Sequence, residues 1–190
     1  MLFREPIPGQ PARERLLDAA ERLVLETGAG HLTLDGVAKF AGVSKGGLLY
    51  HFPSKDSLLE AMMARYLHDI DARVAARVRR RGKASRSTEF RERVKVLLEL
   101  PADRRAAGAA LIAASADKPE LMARCRADYR AVIDGLARLP GGFEPAALVL
   151  LAVSGLVLGE LLQLSPFTPA ERARLAKALL KAVKQNGRTQ

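Results

Sequence analysis

The sequence predicts an all-α protein: an N-terminal three-helix helix-turn-helix domain, a long connecting helix and a C-terminal helical bundle. Three observations predict it. Alanine, leucine and arginine dominate the 190 residues, β-branched and aromatic side chains are few, and tryptophan is absent, a mixture that favours helix. Apolar residues recur at helical spacing along most of the chain. Residues 32–59, LTLDGVAKFAGVSKGGLLYHFPSKDSLL, read as two short helices about a tight turn and the start of a third.

Residues 1–12 carry three prolines and no apolar run of a secretory signal, so they read as a flexible arm. Arg4 in it either reaches a groove or phosphate or belongs to a disordered tail. The helix-turn-helix domain covers 13–55. Its first helix runs from about Arg13 to Glu26, burying Leu16, Leu17, Ala20, Leu23 and Val24. Arg13 and Arg15 near its start can favour a phosphate. Thr33 caps the second helix, which turns Val37, Ala38 and Ala41 inward. Gly42 makes the turn, because a residue without Cβ reaches left-handed angles cheaply. Ser44 caps a third helix carrying Lys45, Gly46, Gly47, Leu48, Leu49, Tyr50 and His51. Pro53 ends it and Ser54 caps the long helix beyond.

The third helix is the informative one. Leu48 and Phe52, four residues apart, share a face and can anchor it. The opposite face presents Lys45, Gly46, Gly47, Tyr50 and His51. Each glycine costs a helix roughly 1 kcal/mol relative to alanine, a cost more readily borne where backbone must approach a partner closely. Cations, hydroxyls and bare backbone on a short helix suit a DNA major groove. Thr33 and Ser44 would serve phosphates through hydroxyl and N–H, and Lys55 would hold one as a point charge. On spacing alone, a three-helix unit whose polar face meets only water fits as well.

The stretch resembles the DNA-binding domain of the TetR/AcrR family of bacterial transcriptional regulators. The family pattern is an opening threonine, then A-x-x-A-G-V-S-x-G-x-L-Y-x-H/Y-F and x-x-K-x-x-L. The match runs through Thr33, Ala38, Ala41, Gly42, Val43, Ser44, Gly46, Leu48, His51, Phe52, Lys55 and Leu58. Leu49 stands where the pattern has a tyrosine that often touches a phosphate, and Tyr50 is the next residue. The resemblance covers about the first third of the chain.

From Ser54 the helical pattern continues through Leu58, Leu59, Met62, Met63, Tyr66, Leu67 and Ile70 towards Arg81, a helix of about 40 Å at about 1.5 Å per residue. In the resembled family this helix links DNA-binding and ligand-binding regions, so 56–190 is expected to be the ligand-binding and dimerisation domain. Gly82 to Ser87 reads as a break. Helices are expected from Thr88 (as cap) to Leu100, from Pro101 to Ala116 and from Pro119 to Leu139. Such a bundle can enclose a pocket. Met62, Tyr66, Met122 and Tyr129 are the ligand candidates, since flexible Met and hydroxyl-bearing Tyr suit an adaptable cavity; ordinary packing is the competing reading for each.

Residues 145–164, PAALVLLAVSGLVLGELLQL, are apolar nearly all round, yet only 15 uncharged residues separate Glu144 from Glu160. That is short of the approximately 20 a membrane span needs, so no membrane partner is expected. Ala152, Gly155 and Gly159 share one side, and Leu175, Leu179 and Val183 share a face of the helix after Pro169. Paired with their copies, these two helices would make a four-helix interface about a two-fold axis, as in the resembled family.

The net charge is +10, but residues 1–55 hold 7 Lys/Arg against 6 Asp/Glu, whereas 65–105 hold 13 against 6. The densest run, Arg77 to Arg86, is open to three readings: solvated loop, auxiliary phosphate contact, or ion-pair partner of other helices. The single Cys125 excludes an intrachain disulfide and fits a reducing compartment; a small buried thiol is its simplest reading, a redox sensor the alternative. There is no phosphate-binding G-x-x-x-x-G-K-[ST], no G-x-S-x-G, no H-E-x-x-H and no cysteine cluster. His31, His51 and His68 lack companions at ligand spacing, so neither a metal, a cofactor nor catalytic residues are expected.

The resemblance therefore implies a cytoplasmic homodimeric bacterial regulator, a repressor that leaves a palindromic operator when a small-molecule effector binds. An effector-independent architectural DNA-binding protein, or a small helical enzyme using the bundle cavity, are the other two classes.

Overall fold

The computed structural model describes residues 11–82, 84–139 and 141–186; the arm with Arg4, up to residue 10, lies outside them. Among the described residues the chain forms nine α-helices and one short 3-10 turn, Ala29–His31. They are α1 (Ala12–Thr27), α2 (Leu34–Ala41), α3 (Lys45–His51), α4 (Lys55–Arg80), α5 (Arg86–Leu98), α6 (Ala102–Ser115), α7 (Pro119–Leu136), α8 (Phe143–Leu161) and α9 (Pro169–Asn186). Two units form: Met1–Arg65 with Ala106–Met122, and Tyr66–Arg105 with Ala123–Gln190. The division expected at residue 55 falls instead after Arg65, inside α4. Leu58, Leu59 and Met62, in the first turns of α4, are fully buried, so those turns belong to the first unit's core.

In the first unit, α1 packs on α2, and α2 on α3. Leu16, Leu17, Ala20 and Val24 of α1 are buried, as are Val37 and Ala38 of α2. The caps are side-chain to backbone bonds: Thr33 Oγ1 accepts from Gly36 N at 3.1 Å, and Ser44 Oγ from Gly47 N at 3.1 Å. Ser54 and Ser57 cap α4 reciprocally, each backbone N–H donating to the other's hydroxyl at 3.1 Å. An ion cluster ties α1 to α4. The Arg65 guanidinium lies 2.7 Å from Asp18, 2.7 Å from Glu21 and 3.5 Å from Glu14. Burial alone would make Arg65 easier to deprotonate; the attraction of Glu21 and Asp18 outweighs it and raises the pKa. Lys118, just before α7, pairs with Asp56 at 2.5 Å in the first turn of α4.

In the second unit, α5, α8 and α9 pack on one another. Phe90, Val94 and Leu98 of α5, Leu136 of α7, Leu150, Val153 and Val157 of α8 and Val183 of α9 make one core. Ile70, Val74, Val96 and Leu100 make a smaller one. The start of α5 differs from expectation: Ser85, not Thr88, is the cap, because its hydroxyl reaches Thr88 N at 3.1 Å. Of the basic run, Arg77 pairs with Glu99 at 2.7 Å and Arg81 with buried Glu92 at 3.1 Å. These two take the ion-pair reading; Lys83 lies outside the described residues. Arg172 of α9 pairs with Glu160 and donates to Leu98 O at 2.7 Å, satisfying a carbonyl at the end of α5.

Thr168 and Glu171 form a capping box at the start of α9. Glu171 accepts from Thr168 N and Oγ1, both at 2.9 Å, and Glu171 N donates to Thr168 Oγ1 at 3.3 Å. Those bonds to the carboxylate hold the Glu171 pKa below its ordinary 4.5. A lowered folded pKa contributes stability that is fully present above 4.5 and lost as pH falls through the folded value. Thermal melts of the wild type and Glu171→Gln should therefore differ at neutral pH and converge in acid. A gap constant across that range would refute the link.

The α8 helix is 19 residues long with a mean hydropathy of 1.7, enough by length and composition to cross a membrane. The sequence expectation counted only the stretch between the glutamates, whereas the helix includes both. Its apolarity has another explanation in this structure: one face, Ala146, Val149, Leu150, Val153, Leu156 and Val157, is buried in the second core. The opposite face leaves Leu148, Leu151, Leu158 and then Leu162 exposed.

Candidate nucleic-acid interface

The α2–turn–α3 segment forms around Gly42, whose φ of +66° is left-handed and closes the end of α2 while Val43 N reaches Ala38 O at 3.0 Å. Leu48 and Phe52 are 0% and 1% exposed and fasten α3 from below. What remains outward is the predicted face. Ser44, Lys45, Gly46 and Gly47 are exposed, Tyr50 is 85% exposed, and Thr33 is exposed at the start of α2. His51 and Lys55 are half-buried. The Tyr50 and His51 rings meet edge to face, with centroids 5.1 Å apart. A Cβ at Gly46 would meet nothing within 4 Å, so its missing side chain is not required by the fold. The Thr33 and Ser44 oxygens already accept from their own helices, which leaves each hydroxyl hydrogen free to be donated outward.

Lys45 is not a bare cation. Its ammonium lies 3.0 Å from Asp35 Oδ1, and sequence reading missed this acid. Only the turn at Gly42 brings the two together across ten positions. Beside α3 lies a cleft of about 370 Å³ walled by α1, the end of α2 and α3, with Arg15, Arg22, Phe40, Val43 and His51 on its lining. The Arg22 guanidinium sits over the Phe40 ring, 5.1 Å from its centroid.

The four ligand candidates are not gathered within one unit. Met62 and Met122 belong to the first, Tyr66 and Tyr129 to the second. Met62 is 1% exposed and acts as core. Tyr66 is half-buried, and burial pushes its phenol pKa up. Tyr129 is 43% exposed, its hydroxyl 3.0 Å from Ser154 Oγ. Cys125 is half-buried rather than buried. Among the described residues no cluster of His, Cys, Asp and Glu could hold a metal.

The interface candidates divide. Ala152, Gly155 and Leu175 are exposed, and Leu179 is half-buried against the second core. Val183 is 5% exposed and belongs to that core, which corrects its assignment to a partner-facing surface. Gly159 is half-buried, and a Cβ there would meet the Ser165 backbone at 3.7 Å, an ordinary contact that the turn after α8 can accept. Leu148, Leu151, Leu158 and Leu162, which sequence reading left out of the interface, are exposed as well.

Residues 16–62 match the family described as bacterial regulatory proteins, tetR family. Residues 88–184, half of the chain, match the tetracyclin repressor-like C-terminal domain. The chain belongs to the TetR family of transcriptional regulators. The regulator BetI 2 of Chromohalobacter salexigens is 40% identical over 65 residues, 34% of this chain and 31% of that protein. The match thus spans about a third of that curated relative's length. A transcriptional regulator of Rhodococcus sp. Rha1 superposes with a TM-score of 0.70 and 26% identity, over 92% of this chain and 95% of its own. The multidrug binding protein EbrR, complexed with ethidium, does so at 0.66 and 25%, over 91% and 99%. The TetR-family chain described here thus shares both the reading domain and the helical C-terminal domain of such regulators, which bind DNA and act as dimers.

Proposed function

We propose that this TetR-family regulator is a homodimeric repressor that holds a near-palindromic operator and releases it when a small molecule binds the C-terminal domain. One observation carries the DNA reading. Lys45, Gly46, Gly47 and Tyr50 form an outward face of bare backbone, cation and phenol on a helix pinned by Leu48 and Phe52. Lys45, Tyr50 and His51 would meet base edges or adjacent phosphates, with Thr33, Ser44 and Lys55 on the phosphates. Two such helices would enter successive major grooves. The likeness to EbrR, a multidrug binding protein with ethidium bound, supports an effector. That effector must prefer the released state, or it shifts nothing. Acting on chromosomal DNA places the regulator in the cytoplasm, and binding rather than catalysis is its work.

Selection from random duplexes tests this. The wild type should enrich an inverted repeat, and Tyr50→Ala should lose it. Salt-sensitive binding with no enriched motif would overturn the sequence-reading role. Gly46→Ala separates fold from function: the helix gains roughly 1 kcal/mol of propensity, while the added methyl holds α3 off the DNA. Its melting temperature should stay or rise as operator affinity falls. Unchanged affinity would mean that the α3 backbone stays clear of the groove.

A further inference from the structure

The Asp35–Lys45 pair puts an acid on the surface proposed to face a polyanion, where it should weaken binding. Both partners are well exposed, with side-chain exposures of 70% and 61%. The ammonium sits astride the carboxylate, 3.0 Å from Oδ1 and 3.2 Å from Oδ2. An exposed pair of this kind contributes little to stability. Its stereochemistry is more telling than its energy. An ammonium has three donors and a carboxylate about four acceptor positions, so the pair uses only part of each. The remainder is a donor and an acceptor side by side, about 3 Å apart.

We propose that Asp35 is a specificity-determining residue, reading one G·C pair together with Lys45; this rests on the operator-binding reading above. In the major groove guanine shows two acceptors, N7 and O6, and cytosine a single amine donor, N4. Lys45 donates across the two guanine acceptors, and Asp35 accepts from the cytosine amine. An A·T pair places its donor between two acceptors and adds the thymine methyl, so the lysine meets one acceptor instead of two. The acid also rejects bare phosphate. It keeps Lys45 from spending its charge on the backbone, where contact carries no sequence information.

The test is binding selection, then titration of the enriched duplex and its single-position variants, with wild type, Asp35→Ala and Asp35→Asn. The wild type should prefer G·C over A·T about ten-fold at one position of each half-site. Both variants should reduce that preference to within about three-fold, leave the other positions unchanged, and steepen the salt dependence by about one unit as Lys45 reaches a phosphate. Asp35→Asn keeps the side chain's shape, so agreement between the variants excludes a folding effect. An enriched motif that neither variant alters, or an A·T preference at the position they do alter, would overturn this role alone. No enriched motif with the wild type would overturn the operator reading as well.

Discussion

Arg65→Ala should cost the first unit about 3 kcal/mol, the lower end for breaking a buried ion pair. The Arg65 side chain is 19% exposed and that of Glu21 11%, and the guanidinium also serves Asp18 and Glu14. Removing it takes from Glu14, Asp18 and Glu21 the guanidinium that all three share, and with it the attraction that ties α1 to α4. Arg65→Lys should recover only part of the stability, because an ammonium is a point charge and cannot fork towards several carboxylates. Urea unfolding of the two variants measures both effects. A loss under about 1 kcal/mol for Arg65→Ala would mean that the cluster behaves as a surface pair.

With the outer face of α8 as the seam of the proposed homodimer, Leu151→Glu should convert dimers to monomers at micromolar concentration. The side chain is 61% exposed in one protomer, with Leu148 at 67% beside it on the same face of α8. A two-fold interface doubles every substitution, so one change buries two carboxylates in an apolar contact. Operator affinity should fall roughly a hundred-fold, because a single head no longer has its neighbour held at high local concentration. Sedimentation and operator titration on one sample read the two effects together. A dimer that survives would move the interface away from this face.

Local features of this fold were legible in the sequence because they are short-range. Thr33 and Ser44 cap helices whose N–H groups lie three residues on, and Gly42 turns the chain by its own backbone. The outward residues of α3 are set by Leu48 and Phe52 in the same way. What could not be read is what the turns bring together. Asp35 meets Lys45 across ten positions, and Arg65 meets Glu21 across 44; neither separation has a periodic signature. In α8 apolarity on all sides hid which leucines face inward. Val149 and Leu150 are core while Leu148 and Leu151 are not, and no polar residue marks the divide. Ser85 and Thr88 were equally good caps by composition, and only the hydroxyl geometry chose between them.

The seven-residue α3 holds Gly46 and Gly47 and is too short to be helical by itself. Its shape is lent to it by Leu48 and Phe52, which sit in the core beneath. The helix proposed to meet DNA is thus the least self-sufficient in its domain. Warming should fray it before the larger cores of the second unit give way. Repression by such a protein would carry its own upper temperature, set by two side chains and lying below the melting point of the chain as a whole.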